Sequence, residues 1–183
     1  MIFEKGNIMD RPLQTNDNHL LVRWLSNVTV LEFYEGRDNP FDLKKVNNDF
    51  YNLDDGVVKC IVVYKAKAIG YIQFYQVNNK TSTIHDYSQE EITYGMDQFI
   101  GEPEYWNKGI GTLLVRSMVD YLLEKKRADR VIMDPQRTNS RAIRCYEKCG
   151  FKKVRILHRR PDGNTCSGWP PWRPPSGHRP WWW

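Results

Sequence analysis

Chemistry first becomes legible at Gly101–Leu114, GEPEYWNKGIGTLL, around Lys108-Gly109-Ile110-Gly111-Thr112. The stretch follows a strand-like segment and opens a helical one. Glycines at 109 and 111 let a ligand approach the backbone, and the first N–H groups of a helix have no partner within it. Such a turn suits a pyrophosphate, through its amides and through the helix dipole. It is not the dinucleotide fingerprint, because Leu114 stands where a third glycine belongs. It is not a Walker A loop, because no Gly-Lys-Ser/Thr follows. The second stretch is Asn139–Phe151, NSRAIRCYEKCGF, in which Asn139 can cap a helix and Gly150 can end it. Cys145 and Cys149 lie one helical turn apart, but no His or second Cys pair completes a metal site, so no metal is expected. His19, His85, His158 and His178 have no Ser, Cys or acid at motif spacing and receive no catalytic role.

Strands and helices alternate around these two stretches. Asn18–Asn27 has Leu21, Trp24 and Leu25 at helical spacing, with Asp17 as its predicted N-cap. Phe41–Tyr51 puts Phe41, Val46 and Phe50 on one helical face. Val57–Tyr64 and Ala68–Gln76 read as strands joined by a turn at Lys65–Lys67, hence an antiparallel hairpin. Asn78–Gln89 is polar and reads as a loop. Glu91–Ile100 is a strand with Thr93, Gly95, Asp97 and Phe99 on one face. Lys108–Arg127 is a long helix, Val131–Asp134 a short strand, Asn139–Cys149 a helix and Phe151–His158 a last strand.

The chain has 183 residues, 40% apolar and 27% charged, which fits a globular domain and excludes a disordered polymer or a collagen-like fibre. No apolar run is long enough to cross a membrane, no signal peptide is visible, and four unclustered cysteines suit a cytosolic protein; the expected location is cytoplasmic. The net charge of +5 belongs to the tail. Residues 151–183 hold seven Lys/Arg and one acid, whereas residues 1–150 hold 20 basic and 21 acidic residues. A nucleic-acid partner would want a basic face on the body, and the body lacks the charge for one.

The glycine turn with its helix, the short strand, and then Asn-x-x-Ala-Ile-x-x-Tyr-x-x-x-Gly-Phe together resemble the GCN5-related N-acetyltransferases. That family's phosphate motif has Arg or Gln where this chain has Trp106. Ile69-Gly70-Tyr71-x-Gln73, Tyr94-Gly95-Met96-Asp97-Gln98-Phe99, Trp106-x-Lys108-Gly109-Ile110-Gly111-Thr112, Asp134-Pro135 and Arg141-Ala142-Ile143-Arg144 are similar, more narrowly, to aminoglycoside 6′-N-acetyltransferases. The likeness covers roughly residues 8–163.

The resemblance implies an α/β fold, a mixed central sheet flanked by helices, with residues 1–163 as the acetyltransferase domain. It implies acetyl-CoA as cosubstrate and a small-molecule aminoglycoside as the partner, with no nucleic acid and no membrane. Lys108, Gly109, Ile110, Gly111, Thr112, Asn139, Ala142 and Tyr146 would hold the coenzyme, with the backbone N–H groups near Phe99 and Ile100 stabilising an oxyanion. Tyr146 would face the coenzyme sulfur as an acid. Asp97 would orient or deprotonate the attacking amine, and Asp134 would receive other substrate amino groups. Trp24 and Tyr34 could pack against sugar rings, though Trp24 suits a core equally well. Two alternatives stay open: an acetyltransferase for another amine, such as a polyamine or a protein N-terminus, and a non-catalytic binding domain.

After Leu157 the composition changes abruptly. Residues 158–183 contain no Ala, Val, Ile, Leu, Met or Phe, but five of the seven Trp and six of the ten Pro. Prolines remove ladder donors. Residues 164–183 are therefore expected to be a disordered Trp/Pro-rich tail after the Pro161-Asp162-Gly163 turn, leaving Phe151–His158 without a partner strand.

Overall fold

The structure, a computed structural model, describes residues 1–34, 38–51, 56–77, 91–153 and 172–173. In chain order the elements begin with β1 (Phe3–Lys5), β2 (Ile8–Pro12), α1 (Asn18–Leu25), α2 (Val28–Leu31) and α3 (Leu43–Val46). There follow β3 (Val58–Tyr64), β4 (Lys67–Gln76), β5 (Thr93–Ile100), α4 (Ile110–Lys125), β6 (Arg130–Ile132) and α5 (Ser140–Lys148), with short β7 (Lys152–Lys153) and β8 (Trp172–Arg173) last. Strands β1 to β6 form one sheet in sequence order, antiparallel except for the parallel pair β5–β6. Helices cover both faces, so the mixed sheet flanked by helices is observed. Among the described residues, no helix is long and apolar enough to cross a membrane.

Side chains of β3 alternate between two cores, as a strand buried on both faces requires. Cys60 and Val62 face Ile110, Leu114, Met118 and Leu122 of α4, together with Tyr146 of α5. Ile61 and Val63 face Leu21, Trp24 and Leu25 of α1, with Leu31, Phe41, Val46 and Phe50. The β3–β4 turn is made by Lys65 and Ala66, both at positive φ (48° and 64°), the sign pattern of a tight hairpin turn.

The phase of the β4–β5 ladder decides what β5 can offer. Gly101 N–H donates to Ile69 O and Val77 N–H donates to Thr93 O, each at 2.8 Å. Between them the register runs unbroken from Gly70↔Ile100 to Gln76↔Tyr94. Odd-numbered amides of β5 therefore point into β4, and even-numbered ones point the other way. On that other side, β6 pairs only with Thr93–Gly95. From Met96 onward β5 parts from β6, and the sheet opens.

Two expectations are corrected. Asp17 does not cap α1: its carboxylate is taken by Arg11, at 2.7 Å to both oxygens, and by the Gln14 amide at 2.8 Å, within a tight turn at Thr15–Asp17. The last strand does find a partner, since Lys152–Lys153 pairs antiparallel with Trp172–Arg173. Pro170-Pro171 and Pro174-Pro175 flank this pair; they limit the ladder's length, while Trp172 and Arg173 keep their own N–H groups. The rest of the expected tail, the Pro161–Gly163 turn, residues 154–158 and the loop at 78–89 lie outside the described residues.

Asp10 on β2 is 0% exposed, and among the described residues no donor reaches either carboxylate oxygen. Burial pushes its pKa up to about 8. The folded state thus binds this proton more tightly than the unfolded chain, whose carboxyl titrates near its ordinary value. The resulting stability is complete below the ordinary carboxylate range and is lost as pH rises through about 8. Asp10→Leu is expected to raise the thermal midpoint at pH 8 by at least ~2 °C and to flatten its decline between about pH 5 and 8. Thermal melts across that pH range check this; an unchanged slope would exonerate Asp10.

Candidate active site

The sheet's opening leads into a groove of about 430 Å³ between the end of β5, the start of α4 and one face of α5. Gly109 caps α4 at φ 77°, a conformation that side chains resist. Gly111 is different: its φ is ordinary, and an added Cβ would meet only the Cys145 sulfur at 3.6 Å and Ile100 Cδ1 at 3.9 Å. Packing therefore does not demand a glycine at 111. Space left open against a helix N-terminus is what an anionic ligand requires. Phe99, Ile100, Gly109, Gly111, Thr112, Asn139, Ala142 and Tyr146 all line this groove. Asn139 also caps α5, accepting the Ala142 N–H at 3.0 Å. Neither Lys108 nor Ile110 lines it. Lys108 Nζ lies 5.9 Å from the ring of Tyr105, which does line the groove, and Ile110 is buried in the core on the α4 side of the sheet.

Arg141 is a groove residue that the sequence analysis gave no role. Its guanidinium lies 3.6 Å from the centre of the Trp106 ring and 4.9 Å from that of Phe33. Trp106 is itself fixed by its indole N–H on the Ile100 carbonyl at 2.8 Å. α5 thus places a cation in the groove, held on the Trp106 face.

A second cluster sits on the opposite face of β5. Tyr71 donates its hydroxyl to Gln73 Oε1 at 2.7 Å, and Gln73 Nε2 donates to Asp97 Oδ2 at 3.0 Å. Asp97 is hydrogen-bonded in turn to Asp134. Burial pushes the Asp97 pKa up, while the bonds to Gln73 and Asp134 oppose the rise. Two carboxyls in one hydrogen bond share a proton. Tyr75 lies near both, its phenol pushed up by burial and by Asp97 and Asp134. Gly95 makes room for it, since a Cβ there would stand 2.6 Å from the Tyr75 ring. The β4 alternation at 71, 73 and 75 was the available signal for Gln73 and Tyr75.

A profile of the acetyltransferase (GNAT) domain family matches residues 14–158. The chain belongs to the GNAT acetyltransferase family. It is 28% identical over 146 residues to aminoglycoside N(6')-acetyltransferase type 1 of Klebsiella pneumoniae, covering 78% of this chain and 73% of that protein. A solved structure of aminoglycoside acetyltransferase AAC(6')-Ib with coenzyme A and kanamycin superposes with a TM-score of 0.70 at 26% identity, over 90% of this chain and 91% of that one. Spermidine N-acetyltransferase of Vibrio cholerae, solved with coenzyme A and spermine, shares the fold at 17% identity, with a TM-score of 0.65 over 91% of this chain and 92% of that one.

Against this GNAT frame, two expected roles change. Trp24 is 1% exposed, with Gly101 against its ring and its indole N–H on Glu102 at 3.0 Å. It is a core residue, and no face is free for a sugar. Phe99 N–H points into β4, so the amide directed at the sheet's opening is that of Ile100, with Gln98 beside it. Tyr34 is half-buried, 5.0 Å from Phe99 ring to ring. Tyr146 lines the groove and accepts a hydrogen bond from Gln98 Nε2 at 2.7 Å. Burial raises its pKa well beyond that of a free phenol, so it stays neutral and offers a hydrogen bond more readily than a whole proton. The acids near the glycine turn are paired, Glu102 with Arg23 and Glu104 with Lys67.

Gly111→Ala is expected to leave the thermal midpoint unchanged or slightly raised, because its Cβ finds ordinary contacts, and to weaken coenzyme A binding at least ~10-fold. Calorimetric titration with coenzyme A beside a thermal melt checks both halves; full affinity in the variant would remove the cradle from Gly111.

Proposed function

We propose that this chain transfers an acetyl group from acetyl-CoA to the 6′-amine of aminoglycoside antibiotics and so confers resistance to them. The observation that carries the reading is the Asp97–Asp134 pair on one face of β5, set against the glycine-lined groove on the other, at the point where β5 leaves β6. Acetyl-CoA supplies the thioester. The Gly109 and Gly111 turn with Arg141 holds its phosphates. Asp97, with Gln73 fixing one oxygen, orients the incoming amine and takes its proton, directly or through water. Its raised pKa makes it a better base than an exposed carboxylate. Ile100 N–H faces the charge that grows on the carbonyl oxygen as the carbon–nitrogen bond forms. Tyr146 lends a hydrogen bond to the sulfur as the carbon–sulfur bond breaks. Asp134 receives a further substrate ammonium, which replaces the proton shared with Asp97 and suits a polycation. A cytoplasmic location fits a reaction that consumes acetyl-CoA.

Asp97→Asn is expected to lower kcat/KM for kanamycin at least ~10²-fold with coenzyme affinity nearly intact. In the parent enzyme kcat/KM falls as acid protonates Asp97, at a pH above its ordinary value of 3.8; the variant loses that limb. Asp134→Asn acts mainly on KM for the drug, more so at low salt. Acetylation of kanamycin, spermidine and an N-terminal peptide, followed by release of free coenzyme thiol, separates the substrates. Turnover of spermidine or peptide with none of kanamycin would sink the aminoglycoside reading.

A further inference from the structure

The groove carries a nucleophile that acetyl transfer does not use. Cys145 lines it, with its sulfur 3.6 Å from where a Gly111 side chain would begin and 3.5 Å from Thr112 Oγ1. Cys149 follows one turn later on α5, beside Cys145, and donates its S–H to the Thr112 carbonyl oxygen at 3.6 Å. Arg116 donates to the Lys148 carbonyl at 2.6 Å, and both cations bear on the Cys145 sulfur. This is a thiol supported by a second thiol, a hydroxyl and two cations, opening onto the phosphate end of a coenzyme groove. The other described cysteines differ. Cys60 is 0% exposed and its thiol is pushed up to about 12, chiefly by burial, and the one S–H of Cys149 is committed to the Thr112 carbonyl.

We propose that Cys145 is a thiolation site that takes a small disulfide of the glutathione class, and that the resulting adduct excludes the coenzyme from the Gly111 cradle. The Cys145 thiolate attacks one sulfur of the disulfide. A new sulfur–sulfur bond forms to Cys145, the reagent's own bond breaks, and the second glutathione leaves as a thiolate that takes a proton from solvent. The Cys145 sulfur is oxidised and the departing sulfur reduced. Lys148 and Arg144, which also line the groove, suit the carboxylates of an incoming glutathione. The neighbouring Cys149, then Thr112, Lys148 and Arg116, outweigh burial and bring the Cys145 thiol down to about 7, the direction that favours the attacking thiolate. An adduct on this sulfur fills the space that Gly111 leaves open. The inference rests on the placement of the coenzyme given above.

The test treats the full-length protein with oxidised glutathione, maps the adduct by peptide mass spectrometry, and measures acetyl-CoA affinity before treatment, after it, and after dithiothreitol. The adduct is expected on Cys145, forming faster as pH rises through about 7. Saturating acetyl-CoA slows its formation at least ~10-fold, and thiolation weakens acetyl-CoA binding by at least ~10-fold, reversed by reductant. In Cys145→Ser, whatever its starting affinity, treatment changes nothing. Cys149→Ser slows the labelling of Cys145. An adduct that leaves affinity intact, labelling indifferent to acetyl-CoA, or preferential reaction elsewhere overturns the proposal. Absence of acetyl-CoA binding before treatment sinks the acetyl-transfer reading and this inference together, whereas binding untouched by thiolation sinks only this inference.

Discussion

Everything in the candidate site depends on where β5 stops pairing with β6. A strand hydrogen-bonded on both edges has no amide to offer. β5 keeps its β4 ladder to the end but loses β6 after Gly95. The freed edge carries the even-numbered amides, and the gap beside it is where the two sheet faces meet. One face brings Asp97, Gln73 and Asp134, and the other brings Gln98 and Tyr146. Alternation along a single strand thus sends the Asp97 carboxylate cluster and the Gln98–Tyr146 pair to opposite sides, within two residues of each other.

Much of the framework was legible because periodicity reports burial directly. The Val58–Tyr64 and Lys67–Gln76 strands, the long helix after Gly109, and the Phe41, Val46 and Phe50 face follow from apolar spacing alone. The glycine turn was legible through backbone freedom. Asp17 misled because it is a good capping residue in isolation, and Arg11, six positions away, claims its carboxylate. Trp24 misled for a related reason. An indole suits a sugar face and a core equally, and only the tertiary contact with Gly101 decides between them.

What the sequence could not carry was the state of its titrating groups. An aspartate on a strand reads as an ordinary acid until burial raises it, as with Asp97, even against the hydrogen bonds from Gln73 and Asp134. A tyrosine reads as an ordinary phenol until it is enclosed, as with Tyr146. Arg141 shows the same limit in space. Nothing at position 141 announces that its guanidinium lies on the Trp106 ring, because that contact joins segments distant in sequence.

The contact between Trp24 and Gly101 reaches further than the placement of one side chain. Gly101 is the hinge-point by which β5 passes toward the α4 turn, and Trp24 belongs to α1 on the other side of the sheet. The indole is held there by Glu102, which also grips Arg23 of the same helix. α1 and the approach to the glycine turn are therefore clasped together. A ligand that tilts α1 must move the turn, and one that seats the turn must reposition α1. By linkage, a ligand whose binding differs between two placements of α1 would be coupled, by the same factor in each direction, to one whose binding differs between two placements of the turn.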